Sequence, residues 1–257
     1  MDSAITSLLA ETDIEFARSG LESELKLLEG LILSYPDDVG LLTTAAQGFT
    51  GYALMYLEEN EPDRAVNFYE RARLYGLRAL AERNTGFSDL DLNYRQFTVL
   101  LGSLKSSDMP AAYWTAMAWG ARINLERSSA SALAESPRAI ALMEWVYERD
   151  PHFYYSGPLW FLGKYYVSLP PLMGGGISKA ELYFTQALES DGDRFLLGKV
   201  IYAESYVVMS FDRDLFVRML KEVILSNSNA PAELNLLNAV AKRRAEALLK
   251  KTDELFE

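Results

Sequence analysis

The chain has no cysteine and a single histidine among its 257 residues. Disulfides, thiolate metal sites and cysteine nucleophiles are thereby excluded. One imidazole cannot supply the second histidine that a His-based zinc site needs. No apolar run reaches the roughly 18–20 residues of a membrane-spanning helix. The first ten residues have neither the basic start nor the apolar stretch of a secretory signal. Strand-like alternation is rare. Basic residues are scarce at the start: residues 1–70 hold 14 Asp and Glu against 3 Lys and Arg, while the rest holds 22 of each. The net charge of −11 argues against nucleic acid as a partner. The acidic opening reads either as a solvated face or as a docking face for a basic partner, with an on-rate that falls with salt.

What remains is helix. With 49% apolar residues the chain can bury a core as one large domain or a continuous solenoid. Helical periodicity and turn signals predict about twelve helices: 3–18, 21–34, 39–57, 62–83, 90–104, 110–127, 137–149, 158–168, 178–189, 194–209, 213–225 and 231–251. Pro62, Pro110, Pro137, Pro158 and Pro231 fall at or near predicted starts, where the missing N–H costs nothing. Gly20, Gly86 and Asn227 are expected stops.

The helices pair. Phe49, Tyr52, Ala53 and Tyr56 face Ala65, Tyr69 and Ala72 at close to tetratricopeptide (TPR) spacing. Ala116, Trp119, Gly120 and Ile123 face Ala139, Met143 and Val146. Leu159, Leu162, Gly163 and Tyr166 face Ala180, Phe184 and Ala187. A degenerate pair joins Val200, Ala203 and Val207 to Phe216, Leu220 and Val223, and the opening stretch forms another. One helix between Gly86 and Asp108 is unpaired. The expectation is an all-α, right-handed superhelix of irregular TPR-like hairpins. It forms a single domain over residues 1–257, closed by a capping helix at about 231–252 with a polar outer face.

No catalytic constellation is visible. His152 reads as a surface or capping residue. Glu58, Glu59, Asp37, Asp38 and Glu135 read as solvated acids. Gly174–Gly176 before Ser178 and Lys179 lack the spacing and preceding strand of a phosphate loop. Those glycines are expected to supply positive φ, with Ser178 as N-cap.

Aromatics are the better lead. Residues 113–166 hold 12 of the 31 Phe, Trp and Tyr, including all four tryptophans. The cluster reads either as an aromatic core or as a cleft lined by Trp114, Trp119, Tyr154, Tyr155, Trp160 and Tyr165. In the second reading Arg122, Asn124 or Lys164 would hold a ligand carboxylate.

Four segments together resemble one family: Leu41–Leu80, Ala111–Leu125, the stretch YYVSLPPLMGGGISKAELYFTQAL, and LLNAVAKRRAEALL at Leu236–Leu249. In that order, with the LPPLMGGG corner, they are similar to the T component of TRAP (tripartite ATP-independent periplasmic) transporters, the TatT-like proteins. The resemblance implies a non-enzymatic periplasmic lipoprotein of cryptic TPR hairpins, without cofactor. It implies a homotrimer that binds a small hydrophobic or carboxylate ligand and partners the substrate-binding P component. Contact with a membrane would run only through a lipid anchor. The anchor's cysteine and signal are absent from this chain, as they would be if it began downstream of the anchor with Met1 added. The alternative is a general TPR adaptor docking a peptide in its groove. The lack of basic residues in Val39–Leu57 counts against a carboxylate-clamp adaptor.

Overall fold

The computed structural model describes residues 2–227 and 230–257; Met1 lies outside them. Among the described residues there are thirteen α-helices and no strand. Contacts gather the chain into two compact units, residues 18–150 and residues 1–17 with 151–257.

The unit of residues 18–150 starts within α2 (Ile14–Ser34). The expected break at Gly20 is absent, and α2 runs through it. The real break lies upstream, where Asp13 Oδ1 accepts from Glu15 N and Phe16 N at 3.1 and 3.0 Å and caps α2. A cap of that kind outweighs the roughly 1 kcal/mol that a mid-helix glycine costs. The expected opening hairpin therefore does not form. α3 (Val39–Tyr52), capped by Asp38, packs against α4 (Pro62–Ala81). Phe49, Tyr52, Ala53, Ala65, Tyr69 and Ala72 are buried there. Gly86 is not the stop: α4 ends at Ala81, and Gly86 lies in the short 3-10 turn Thr85–Ser88.

α5 is shorter than expected (Tyr94–Leu101), bounded by an Asn93/Gln96 capping box. α6 (Met109–Leu125) packs on α4 and on α7 (Ala130–Tyr147). Pro137 was expected to open α7 but lies inside it, because Ser129, eight residues before, caps the helix. The carbonyl that Pro137 leaves without a helical donor belongs to Leu133, at an exposed position where water can serve it.

An acid–base knot ties α2 to α4. Glu29 accepts from Lys26 at 2.8 Å, from Tyr75 at 2.9 Å, and from Arg71. Burial alone would raise its pKa, but these donors outweigh it and hold the carboxyl at about 2. A depressed pKa stabilises the fold above the unfolded glutamate value, and this contribution is lost as pH falls toward 2. Allowing for the partial exposure of Arg71, the term is about 1–2 kcal/mol. Urea unfolding of Glu29→Gln should accordingly show a smaller loss of stability between pH 6 and pH 3 than the wild type.

The other unit is built on α8 to α13. Helix α8 is assigned to Phe153–Ser168, yet Tyr154, Tyr155 and Ser156 have φ of 46°, 57° and 60°. Right-handed helix thus starts at about Pro158, as the sequence predicts. The corner that follows is a 3-10 turn, Pro171–Met173, then Gly174 and Gly176 at φ 80° and 114°. This is the positive-φ role expected of those glycines. A Cβ at Gly175 would stand 2.5 Å from the Leu169 carbonyl. Gly176, not Ser178, occupies the N-cap of α9 (Ile177–Asp191).

α8 packs along α9, and α10 (Leu196–Tyr202) pairs with α11 (Arg213–Leu225). α11 has the expected bounds, with Ser226 at its C-cap and the expected stop Asn227 directly after it. α12 (Asn235–Lys250), led in by a 3-10 turn at Ala232–Leu234, covers α10 and α11; the short α13 (Thr252–Leu255) follows. The buried stripe of α12 includes Leu237, Ala241 and Ala245. α1 (Asp2–Leu9) reaches this end of the chain: it packs on the lead-in turn and α12, and Asn235 donates to the Ala10 carbonyl at 3.1 Å.

Two π-helical turns were not foreseen. α3 continues as Ala53–Leu57 and α10 as Ala203–Val207. Each has an i→i+5 bond, to Ala53 O and Ala203 O. Both carry Tyr-Ala-x-x-Tyr, with rings in contact: Tyr52 with Tyr56 at 5.1 Å and Tyr202 with Tyr206 at 5.0 Å. Single π turns of this kind often sit at functional positions.

Candidate functional site

The nine residues singled out by the sequence fall in both units: Trp114, Trp119, Arg122 and Asn124 in one, Tyr154, Tyr155, Trp160, Lys164 and Tyr165 in the other. In the first, α6 brings Trp119 and Arg122 onto one face, one turn apart. The Trp119 ring is 1% exposed. Its Nε1 donates to Glu135 at 2.5 Å, and Arg122 donates to the same carboxylate. Arg73 and Arg138 lie 5.0 and 5.1 Å from the ring centroid. Arg122 also pairs with Glu126 and Glu70. Burial pushes Glu135 up, but Trp119 and Arg122 outweigh it and leave its carboxyl below the usual range. Glu135 is thus no solvated acid, as the sequence was read. It anchors an indole and a guanidinium. Glu58 and Asp38 are likewise engaged: Glu58 accepts from the Tyr69 hydroxyl, and Asp38 caps α3. Trp114 is buried edge-on against Tyr113 at 4.9 Å; Asn124 is half-buried.

In the other unit the left-handed turn at Tyr154–Ser156 is the organising feature. Each such residue costs roughly 1–2 kcal/mol, so the turn needs anchors. Ser156, fully buried, donates to Asp191, which also accepts from Arg194 Nε at 2.6 Å. Trp160 Nε1 donates to the Tyr155 carbonyl at 3.0 Å, and its ring is 2% exposed. Gly198 permits this: a Cβ there would lie 2.4 Å from the indole. His152 Nδ1 stands 3.2 Å from Ser156 Oγ. The hydroxyl donates away from the imidazole to Asp191 and is shut off from solvent, so the trio anchors the turn.

The turn presents Tyr155 half-exposed, stacked on Phe195 at 6.0 Å, with Arg194 over its ring and its hydroxyl donating to Glu233 at 3.0 Å. Burial, then the bond to Glu233, pushes its pKa up to about 12. The phenol therefore stays protonated at neutral pH.

Lys164, one turn beyond Trp160 on α8, reaches Glu204 in the π turn at 3.3 Å; Arg244 of α12 grips the same carboxylate at 2.9 Å. Burial pushes Glu204 up, but the two cations outweigh it and its carboxyl stays ionised. Tyr165 is half-exposed at 5.2 Å from Tyr166, which stacks on Tyr183 with Lys179 over its ring at 3.5 Å.

Sequence reasoning missed Glu204, Arg244, Asp191 and Ser156. Arg244 falls in the expected capping helix, whose outer face was read only as polar. The one available signal was Glu204 itself, an acid among buried neighbours. Among the described residues no group of three or more His, Asp and Glu is placed to hold a metal ion, and no helix is long and apolar enough to cross a membrane.

Paired helices whose buried polar groups serve packing define an all-α helical-hairpin protein. The chain belongs to the TRAP transporter T-component family, whose profile matches residues 10–256. It is therefore an auxiliary component of a TRAP transport system. It is also similar to an uncharacterized protein of Treponema pallidum (strain Nichols), 23% identical over 266 residues, spanning 96% of this chain and 81% of that relative.

Proposed function

We propose that this T component is a non-enzymatic, lipid-anchored periplasmic subunit that binds a small hydrophobic or carboxylate ligand and docks the P component as a homotrimer. The observation that carries the reading is the family match across nearly the whole chain. Ligand binding falls to those aromatic and cationic candidates that keep accessible surface. In the unit of residues 1–17 and 151–257 these are Tyr154, Tyr155, Lys164 and Tyr165. Trp160 is the buried support for Tyr155 rather than a wall in its own right. In the other unit Arg122 and Trp119 are bound to Glu135 and Trp114 is buried, which leaves Asn124 as the half-exposed contributor.

The test is direct binding to the P component of its TRAP system, with the mass measured by light scattering. Specific binding by a trimeric species is expected at micromolar concentration. A monomeric mass counts against the trimer. Failure to bind, with binding to a peptide tail instead, favours the adaptor.

A further inference from the structure

The outer face of α2 is left exposed by the described residues. At 100° per residue, Gly20, Ser23, Leu27, Leu31 and Ser34 share an arc of about 80°, centred about 130° round the helix from the buried Leu25, Leu28 and Ile32. Leu27 is 70% and Leu31 43% exposed. The residues around them are small: a Cβ at Gly30 would meet nothing within 4 Å. Such a face lets a second helix approach closely with its ridge between the leucines. Just past the helix, Tyr35 and Val39 are also exposed. Apolar surface grouped in this way marks an interaction site.

The charge at its edge says what kind of partner fits. Glu24 lies 60° round the helix from Leu27, between the leucine stripe and the core. It is half-buried and has no hydrogen-bond or ion-pair partner among the described residues. The neighbouring acids are taken: Glu22 accepts from Tyr52, and Glu29 from Arg71, Tyr75 and Lys26. Burial drives the Glu24 pKa up, the mark of a carboxylate missing its counter-charge. Residues 1–70 carry 14 acids against 3 bases, so a second copy of this face would be repelled and a basic surface attracted.

We infer that the Gly20–Ser34 face of α2 docks a partner protein through a helix whose apolar ridge covers Leu27 and Leu31 and whose Lys or Arg pairs with Glu24. The inference rests on the docking reading above and assigns it a surface: the partner is the P component.

Binding of purified P component to wild type, to Leu27→Glu/Leu31→Glu and to Glu24→Gln tests it, with circular dichroism and light scattering on each. The double variant should weaken binding at least 100-fold, its helicity and mass unchanged, since both leucines face solvent. Glu24→Gln should weaken it about tenfold and flatten its salt dependence. Wild-type affinity in the double variant overturns the assignment and leaves the docking reading standing. Absence of binding by the wild type overturns both. A change of oligomeric mass in the double variant means that a second copy covers the face, and also overturns the assignment.

Discussion

Replacing Glu204 by alanine should destabilise the fold by about 3–5 kcal/mol, the usual cost of stripping the counter-ion from a buried pair. Glu204 is 14% exposed and is held by Lys164 from α8 and Arg244 from α12. Its removal takes away the carboxylate that Arg244, itself 15% exposed, grips. It also unties two helices from the π turn they share. Removing the cation as well should return part of the loss, because apolar replacement of a whole buried pair is often nearly neutral. Glu204→Ala/Arg244→Leu should therefore be more stable than Glu204→Ala. The pH dependence has a fixed sign. The folded carboxyl sits below its ordinary value, so its stabilisation is present above the unfolded glutamate pKa and lost on acidification. Denaturant titration at pH 7 and pH 4 reads both effects. A loss under about 1 kcal/mol at pH 7 would place this carboxylate in water rather than in the fold.

Gly76→Ala should cost about 2–4 kcal/mol, at the upper end for an overpacked core. The new Cβ would lie 2.0 Å from Thr115 Oγ1, 3.0 Å from its Cβ and 3.2 Å from its Cα. A rotamer change moves the first atom but not the other two. α4 and α6 must then separate, and Thr115 is fully buried between them with its hydroxyl bonded to the Ala111 carbonyl at 2.6 Å. Thr115→Ala in the same chain should restore only part of the loss. Gly30→Ala is the matching control: with open space around its Cβ, it should stabilise the protein by up to about 1 kcal/mol. Thermal melts of the three variants separate close packing from glycine's effect on the unfolded chain.

Much of the fold was legible because helix pairing writes itself into residue size. Ala65, Ala72, Ala139, Ala180 and Ala187 mark where a neighbouring helix comes close, and all five are fully buried. The corner at Pro170–Gly176 was legible because proline and glycine have few other uses in such a string. The opening was misread because Gly20 is a loud signal and Asp13 a quiet one. Pro137 misled for a similar reason: the sequence does not show that Leu133 stands at an exposed position. The left-handed turn was beyond reach, since tyrosine and serine have no preference for positive φ. Its anchor, Asp191, lies 35 residues from Ser156. Candidate site residues were chosen by side-chain type, and of them Tyr155 and Lys164 keep accessible surface. It could not say which indoles spend their N–H inside the fold, because Glu135 and the Tyr155 carbonyl are supplied by the fold itself.

The turn at Tyr154–Ser156 has a consequence for the order in which the chain comes apart. Three residues wound against their own chirality return roughly 1–2 kcal/mol each when they relax. Opening there is opposed by the buried Ser156–Asp191 bond and the grip of Trp160 on the Tyr155 carbonyl, and assisted by the backbone itself. Segments poised in this way belong to the low-stability end of a protein's opening hierarchy. Backbone amides at 154–156 should exchange with solvent before those of the helix that follows, so α8 frays from its first turn while Leu159, Leu162 and Tyr166 still hold to α9.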